Sequence, residues 1–552
     1  MISPSLPLKC FPANVFHRSE LLAGPIALAV ASCLLWLPES LDAQERHALT
    51  VTALAVIGWT MTRLPDALVA LAAALALVLT GTLHEQQLFA ALGRELVWLL
   101  MAAFVIASVL KSSGLMEHLV ARALTRVRSF AALSYVLTVL IAATAFFIPS
   151  TSGRAALLLP VFLALAAQLP DPRLRRPLAL LFPTVILLSA GGSLLGAGAH
   201  LIAVDAIASA GGPRIGYLEW LMLGLPVSLV CCLLATALIL WLFVPADLHN
   251  MPMVLRQPGA PLTTRQRRLA LMLVALLALW TTTSLHGMSI VVITLAGALL
   301  LLSRPFTDRK TKEVFRDVDV ELILYLTATI VIAEAMITSG ADRWLAEGML
   351  AVLPEDLARS QAVAVGFMAG VAVLSHLVIT SRSARAAVLI PAVALPIAAF
   401  GHDPALIVLV AVMGTGFCQT MMASAKPVAI YGALDMPTFS QRDLVRLAVP
   451  LMPAVVVPLF CVAITLWPMQ LQRPTDPAFA VIQKVELSEP VPRAVLRPVA
   501  RPALTGQRGA ALSQSSDRDQ PRVIRWLGAE IDAAGQDAQR GLHRLTDVLG
   551  LR

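Results

Sequence analysis

Residues 95–124 read ELVWLLMAAFVIASVLKSSGLMEHLVARAL, and residues 321–350 read ELILYLTATIVIAEAMITSGADRWLAEGML. Aligned without gaps, the two share Glu95/Glu321, Leu96/Leu322, Val105/Val331, Ile106/Ile332, Ala107/Ala333, Ser113/Ser339 and Gly114/Gly340. Upstream, WTMTRL from Trp59 matches WTTTSL from Trp280. Downstream, STSGRAALLLP from Ser150 matches SRSARAAVLIP from Ser381. Three matches in one order, at offsets of 221, 226 and 231 residues, mark an internal repeat. The two units run over 48–244 and 268–467.

Composition says where these units lie. The chain has 552 residues, 58% hydrophobic and 14% charged, with a mean hydropathy of +0.79. A soluble domain carries about a quarter of its residues as charges. Soluble, disordered, fibrous and nucleic-acid-binding classes are therefore excluded, and much of the chain belongs in lipid. The 42 Lys and Arg against 34 Asp and Glu read as loop charge that sets orientation. The six cysteines form no CxxC or Cys/His pair with metal-ligand spacing and read as small core residues.

The reading gives an all-α polytopic membrane protein. Residues 1–19 are an N-terminal tail, and 20–47 hold a first, retained membrane helix with its loop. Residues 245–267 link the units, and 468–552 form a largely disordered tail with one candidate surface helix near 521–549. Each unit has three spans, then a re-entrant hairpin, a long segment with a weakened centre (178–209 and 405–434) and a last span. Five crossings per unit force the second to be inverted, for about 11 transmembrane helices plus two hairpins. With the N-terminus cytoplasmic, inside loops hold about 20 Lys and Arg against about five outside, as the positive-inside rule asks. The C-terminal tail is then outside. Trp36, Trp59, Trp98, Trp220, Trp241 and Trp467 fall near segment ends, as interfacial anchors do.

The hairpin turns, near 150–154 and 381–385, carry the chemistry. Irregular backbone at membrane depth survives only when buried in protein or lining a wet cavity. Unpaired N–H groups at the start of the following half-helix favour an anion. Ser150, Thr151, Ser152, Ser381 and Ser383 add hydroxyls, and Arg154 and Arg385 occupy equivalent places. Two such guanidinium groups facing one cavity would clamp an oxyanion or dicarboxylate. The competing reading has them neutralise buried carbonyl ends or snorkel to an interface. For the serines, helix capping and ligand contact can coexist.

The weakened centres come second. Residues 187–208 hold Gly196, Gly198, His200 and Asp205, and residues 414–434 hold Ser424 and Lys426. A charge there faces a cavity or a partner, so Lys426 either meets an anion or pairs with a carboxylate. Asp205 and Glu334 are coupling candidates; Glu334 either titrates for proton coupling or balances an arginine. No GxxxxGK[ST] is present for ATP, and no HExxH or GxSxG for hydrolysis. No enzymatic activity, cofactor or metal is expected.

With those residues in view, the chain resembles the divalent anion/sodium symporter family, in the wider group of citrate- and arsenite-type carriers. That family's hairpins carry Ser-Asn-Thr, then A-T-A-A, then Pro. Ser150 and Ser381 stand at its Ser, and Ser152 and Ser383 at its Thr. Its Asn is replaced by Thr151 and Arg382, and a later Thr by Arg154 and Arg385. GGSLLGAGAHL and ASAKPVAIYG fall at its helix breaks. The resemblance covers about 20–467 and implies eleven spans, two inverted repeats, a homodimer and elevator-like movement. It also implies sodium beside the substrate. Losing the Asn carbonyls removes cation ligands, which points to a sodium-independent exchanger or a proton-coupled carrier, with H+ or Na+ as the candidate coupling ions.

The expected function is secondary active transport of a small anion by alternating access in a bacterial inner membrane. Its partners are the anion and membrane lipid, with no nucleic acid. The site set is Ser150, Thr151, Ser152, Arg154, Ser381, Arg382, Ser383, Arg385, Gly196, Gly198, His200, Ser424 and Lys426. The alternative is an anion sensor or scaffold that binds without transport, which uptake into liposomes separates.

Overall fold

A computed structural model describes residues 16–36, 41–62, 64–124, 127–249, 261–350, 359–422 and 424–471. The tail at 1–15, most of the linker, and the C-terminal segment from 472 with its candidate surface helix lie outside the described residues. Every regular element among them is helical. Before the first hairpin come α1 (Phe16–Trp36), α2 (Ala43–Met61), α3 (Asp66–Leu79), α4 (Glu85–Leu92) and α5 (Glu95–Ser112). The rest of the first half is α6 (Phe130–Ala143), α7 (Thr151–Gln168), α8 (Arg175–Ser189), α9 (Gly198–Ser209) and α10 (Tyr217–Phe243). The second half repeats the order: α11 (Thr264–Thr281), α12 (Ile290–Leu301), α13 (Val320–Ser339), α14 (Gln361–Leu374), α15 (Arg382–Leu389), α16 (Pro404–Gly414), α17 (Lys426–Gly432) and α18 (Gln441–Thr465).

Six of the described stretches are long and apolar enough to cross a membrane, and seven apolar helices are shorter, at 10–17 residues. The shortness has visible causes. Ser150 and Ser381 cap α7 and α15, accepting from Gly153 N at 3.2 Å and Ala384 N at 3.3 Å. A side-chain oxygen satisfies one orphan N–H of the first turn, so a helix starts there instead of continuing from the element before. Both hairpins reach that start through a 3-10 turn, Thr144–Phe146 in the first and Ser375–Leu377 in the second. The tight turn is thus 147–150 and 378–381, a few residues before the positions expected. Thr151, Ser152 and Arg154 lie in the first helical turn.

The halves pack reciprocally. α3 lies on α13 and α12 on α5; α9 lies on α15 and α17 on α7; α9 lies on α16 and α17 on α8. α10 packs on its own counterpart α18. Reciprocal pairs of this kind are what a two-fold relation between equal halves produces. The halves part at their hairpin prolines. α7 runs through Pro160 unbroken, whereas α15 opens into a π turn at Ile390–Ala394, which contains Pro391. Proline removes one ladder N–H and crowds the carbonyl four residues back, and a π turn absorbs both.

Three of the six tryptophans expected at the interface are instead buried struts. The indole N–H of Trp59 donates to Asp66 O at 3.1 Å, that of Trp220 to Gly191 O at 3.0 Å, and that of Trp467 to Leu223 O at 3.0 Å. Trp36, Trp98 and Trp241 are exposed. A large ring with one donor suits either setting, and sequence position alone does not choose.

Candidate functional site

The two helix breaks share a backbone design. α8 ends at Ser189, two 3-10 turns follow, and Ala197 precedes α9 with φ −159° and ψ 149°. In the second half Ala425 precedes α17 with φ −158° and ψ 146°. At the residue just before Ala197 and Ala425 the same tight bond recurs, Gly196 N to Ser193 O at 2.9 Å and Ser424 N to Met421 O at 3.0 Å. Gly196 therefore matches Ser424, and Gly198 matches Lys426. A Cβ on Gly196 would lie 2.2 Å from Ala190 O, so the first break demands glycine. The Ser424 hydroxyl accepts from Met421 N at 2.8 Å and stays buried.

Around these breaks stand three buried guanidinium groups. Arg154 is 0% exposed, Arg382 9% and Arg385 0%. Arg154 donates through Nε to Thr144 Oγ1 at 2.8 Å, through Nη1 to Ile186 O at 2.8 Å, and through Nη2 to Ile141 O at 2.8 Å and Ser189 Oγ at 2.7 Å. It ties the first hairpin to the end of α8. Arg382 donates to Thr415 Oγ1 at 3.2 Å, to Leu187 O at 3.2 Å and to His200 Nε2 at 3.0 Å. It joins the second hairpin to both breaks. His200 Nδ1 meets Ser193 O at 2.9 Å, which makes Nδ1 the donor and leaves Nε2 to accept from Arg382. The His200 ring stacks on Trp220, with centroids 4.9 Å apart.

Arg385 is bound less completely. It donates to Phe417 O at 3.1 Å and to Cys418 Sγ, and its Nε has no partner among the described residues. The fully buried Gln419 likewise has an unpaired Nε2 donor. Thr151, Ser152 and Ser383 are half-buried, with hydroxyls that bond to nothing among the described residues. Gly198 brings α9 against the second hairpin, where a Cβ would lie 3.3 Å from Ser383 Oγ. No carboxylate pairs with Arg154, Arg382 or Arg385 among the described residues. Lys426 is exposed and has no ion-pair partner there either.

Asp205 and Glu334 are brought together away from that centre. Arg94 Nη1 donates to both Asp205 oxygens at 2.9 Å, and Arg94 Nη2 pairs with Glu334. Gln87 Nε2 adds a bond to Glu334 Oε1 at 3.2 Å. Glu334 thus balances an arginine, though one from the start of α5 and not from a hairpin. This junction joins α9 to α13. Beside it Leu201 and Ile202 face Leu96, Leu100, Ile323 and Leu326 across a narrow apolar gap.

Sequence reasoning missed Arg94, Gln87, Thr415, Ser189 and Gln419. Only Gln419 carried a signal, as an amide inside an apolar break; the others meet their partners through the fold. The buried His376 ring is bonded on both sides, to Val373 O and Thr420 Oγ1.

A family model described as the sodium:sulfate symporter transmembrane region matches residues 18–472. A "Membrane protein" of Cupriavidus necator is 24% identical over 318 residues, 55% of this chain and 61% of that protein. The chain thus spans less than two thirds of that relative's length. The sodium-dependent dicarboxylate transporter SdcS of Staphylococcus saprophyticus is 21% identical over 450 residues, 76% of this chain and 85% of that protein. A crystal structure of the Alcanivorax borkumensis YdaH transporter, described as having an unusual topology, aligns with a TM-score of 0.45 and 14% identity, over 81% of this chain and 96% of that one. The chain is an integral membrane protein and belongs to the family of the sodium:sulfate symporter transmembrane region.

Proposed function

We propose that the protein carries a small dianion or oxyanion across the bacterial inner membrane by alternating access, without sodium. One observation carries this reading: three buried guanidinium groups meet at two helix breaks, and no carboxylate pairs with them among the described residues. A buried charge without a counter-ion costs several kcal/mol, and a bound anion offsets that cost. The unpaired donors of Arg385 and Gln419, with the free hydroxyl of Ser383, support an anion seat on the second hairpin. The dicarboxylate of SdcS and the sulfate of the family's description give the two substrate classes to test.

The sodium-independent part rests on Arg154. Its guanidinium holds four oxygens, from Thr144, Ile141, Ile186 and Ser189. A sodium ion in such a place needs that kind of all-oxygen shell. A fixed positive charge that already fills it supplies the same field without an ion to release. The two halves are inverted repeats, the N-terminus is cytoplasmic and the carrier works as a homodimer; the reciprocal packing and the loop charge support the first two.

Proteoliposome uptake of sulfate, succinate and citrate, with sodium or potassium outside, tests the reading. One of these anions should enter at the same rate with either cation. That anion should stabilise the fold by about 2.7 kcal/mol at a hundredfold excess over Kd, read as a raised unfolding midpoint. Arg385→Ala should remove both responses. Binding without uptake would leave a sensor in place of a carrier, and strict dependence on sodium would overturn the role given to Arg154.

A further inference from the structure

Far from the central arginines, the ends of α10 and α18 meet the loop before α8 around a cavity of about 470 Å3. Its wall includes Arg173, Arg176, Arg446, Phe243, Pro172 and Pro437. Arg173 is held by Asp171 at 2.7 Å and lies 3.6 Å from Asp247; Arg176 is held by Asp443 at 3.2 Å. The Arg173 side chain, hydrogen-bonded to it, keeps the Asp171 carboxyl below the usual carboxylate range, so this pair stays ionised at neutral pH. Arg446 is different. It has no ion-pair partner among the described residues, and its guanidinium lies over the Phe243 ring at 5.4 Å from the centroid. The ring face fixes the group without neutralising it.

What lies beside the cavity identifies the occupant. Val445 and Val449 flank Arg446 on α18 and are exposed, and Trp241 is exposed on α10 two residues before Phe243. An exposed Trp at the end of an apolar helix marks the membrane interface. The loops that form the cavity are also those that positive-inside counting places on the cytoplasmic side. A basic pocket with an apolar strip beneath it is complementary to an amphiphile with an anionic head, and basic pockets between membrane helices bind such headgroups. A soluble anion would use the arginines and leave the valine strip idle.

We infer that this cavity binds the phosphate headgroup of an anionic membrane phospholipid, with Arg446 as its main contact and Arg173 and Arg176 beside it. The acyl chains lie along Val445 and Val449. The site does not depend on the transport reading.

The test uses the full chain in detergent. Phosphatidylglycerol, cardiolipin, phosphatidylcholine and inorganic phosphate are added separately, with retained lipid read by native mass spectrometry and stability by thermal unfolding. Phosphatidylglycerol and cardiolipin should be retained and should raise the unfolding temperature; phosphatidylcholine and inorganic phosphate should do neither. Arg446→Gln should weaken anionic-lipid binding about tenfold, and adding Arg173→Gln should weaken it further. Arg446→Lys should keep most of the binding, and Arg316→Gln, exposed elsewhere, all of it. Equal stabilisation by inorganic phosphate would make this a soluble-anion site and overturn the lipid assignment. So would unchanged lipid retention in a monodisperse Arg446→Gln variant.

Discussion

The two hairpins share one eleven-residue frame, yet their arginines live differently. Arg154 gives four hydrogen bonds to four oxygens, while Arg385 gives one to a carbonyl and one to a sulfur and keeps a free Nε. The first hairpin also has Thr151 where the second has Arg382, the residue that reaches into both halves. A duplicated sequence therefore does not duplicate a role. One copy has become a fixed bracket, and the other retains the spare donors a ligand needs.

Arg382→Ala should break this comparison hardest. It strands buried acceptors on Leu187, Thr415 and His200, each worth about 1–3 kcal/mol; losing an uncompensated charge offsets part of that. A net destabilisation of about 3 kcal/mol by chemical unfolding is expected, with loss of anion binding. If Arg154→Ala costs more than Arg382→Ala, the second hairpin is not what joins the halves.

Gly196→Ser copies the second break into the first and should cost about 1–3 kcal/mol, the range for a forced fit in a packed interior. Its Cβ would meet Ala190 O at 2.2 Å. The reverse exchange, Ser424→Gly, loses one hydrogen bond, about 1 kcal/mol. Thermal unfolding of the two variants side by side sharpens the contrast between breaks that share a backbone yet differ in room.

The smallest effect is expected at the pair Ser108 and Glu334, equivalent by the repeat. Ser108 donates to Asp317 Oδ2 at 2.7 Å and accepts from Arg309 Nη1 at 2.9 Å, whereas Glu334 pairs directly with Arg94. Burial pushes the Asp317 carboxyl up, but the hydrogen bonds from Arg309 and Ser108 outweigh it and hold the group below the usual range. A folded-state pKa below the unfolded value stabilises above about pH 4 and is lost as pH falls through the folded value. Ser108→Ala should cost about 1 kcal/mol or less at neutral pH and shrink this acid loss. An acid unfolding curve identical to that of the parent would show that Ser108 does not hold Asp317.

Much of the fold was legible because hydrophobic length, serine caps and clustered glycines act locally. The helix starts capped by Ser150 and Ser381 and both helix breaks could be read from the chain. Partners were not. Arg154 meets backbone oxygens of Ile141 and Ile186, and any residue offers a carbonyl, so no letter announces them. Arg94 meets Asp205 and Glu334 across separations of 111 and 240 residues, where only the folded path decides proximity. Trp220 and Trp467 show the same limit, since a ring near a segment end can turn inward or outward.

The near contact of Gly224 with Gly191, where a Cβ would stand 2.2 Å from the Gly191 oxygen, has a mechanical consequence. With the indoles of Trp220 and Trp467 pegging the same region, the first break and its covering helix cannot slide past one another. The two therefore move as one piece, and any displacement of that piece would fall on the greasy seam of Leu201 and Ile202 against Leu96 and Ile323, with the Arg94 pairs at its rim.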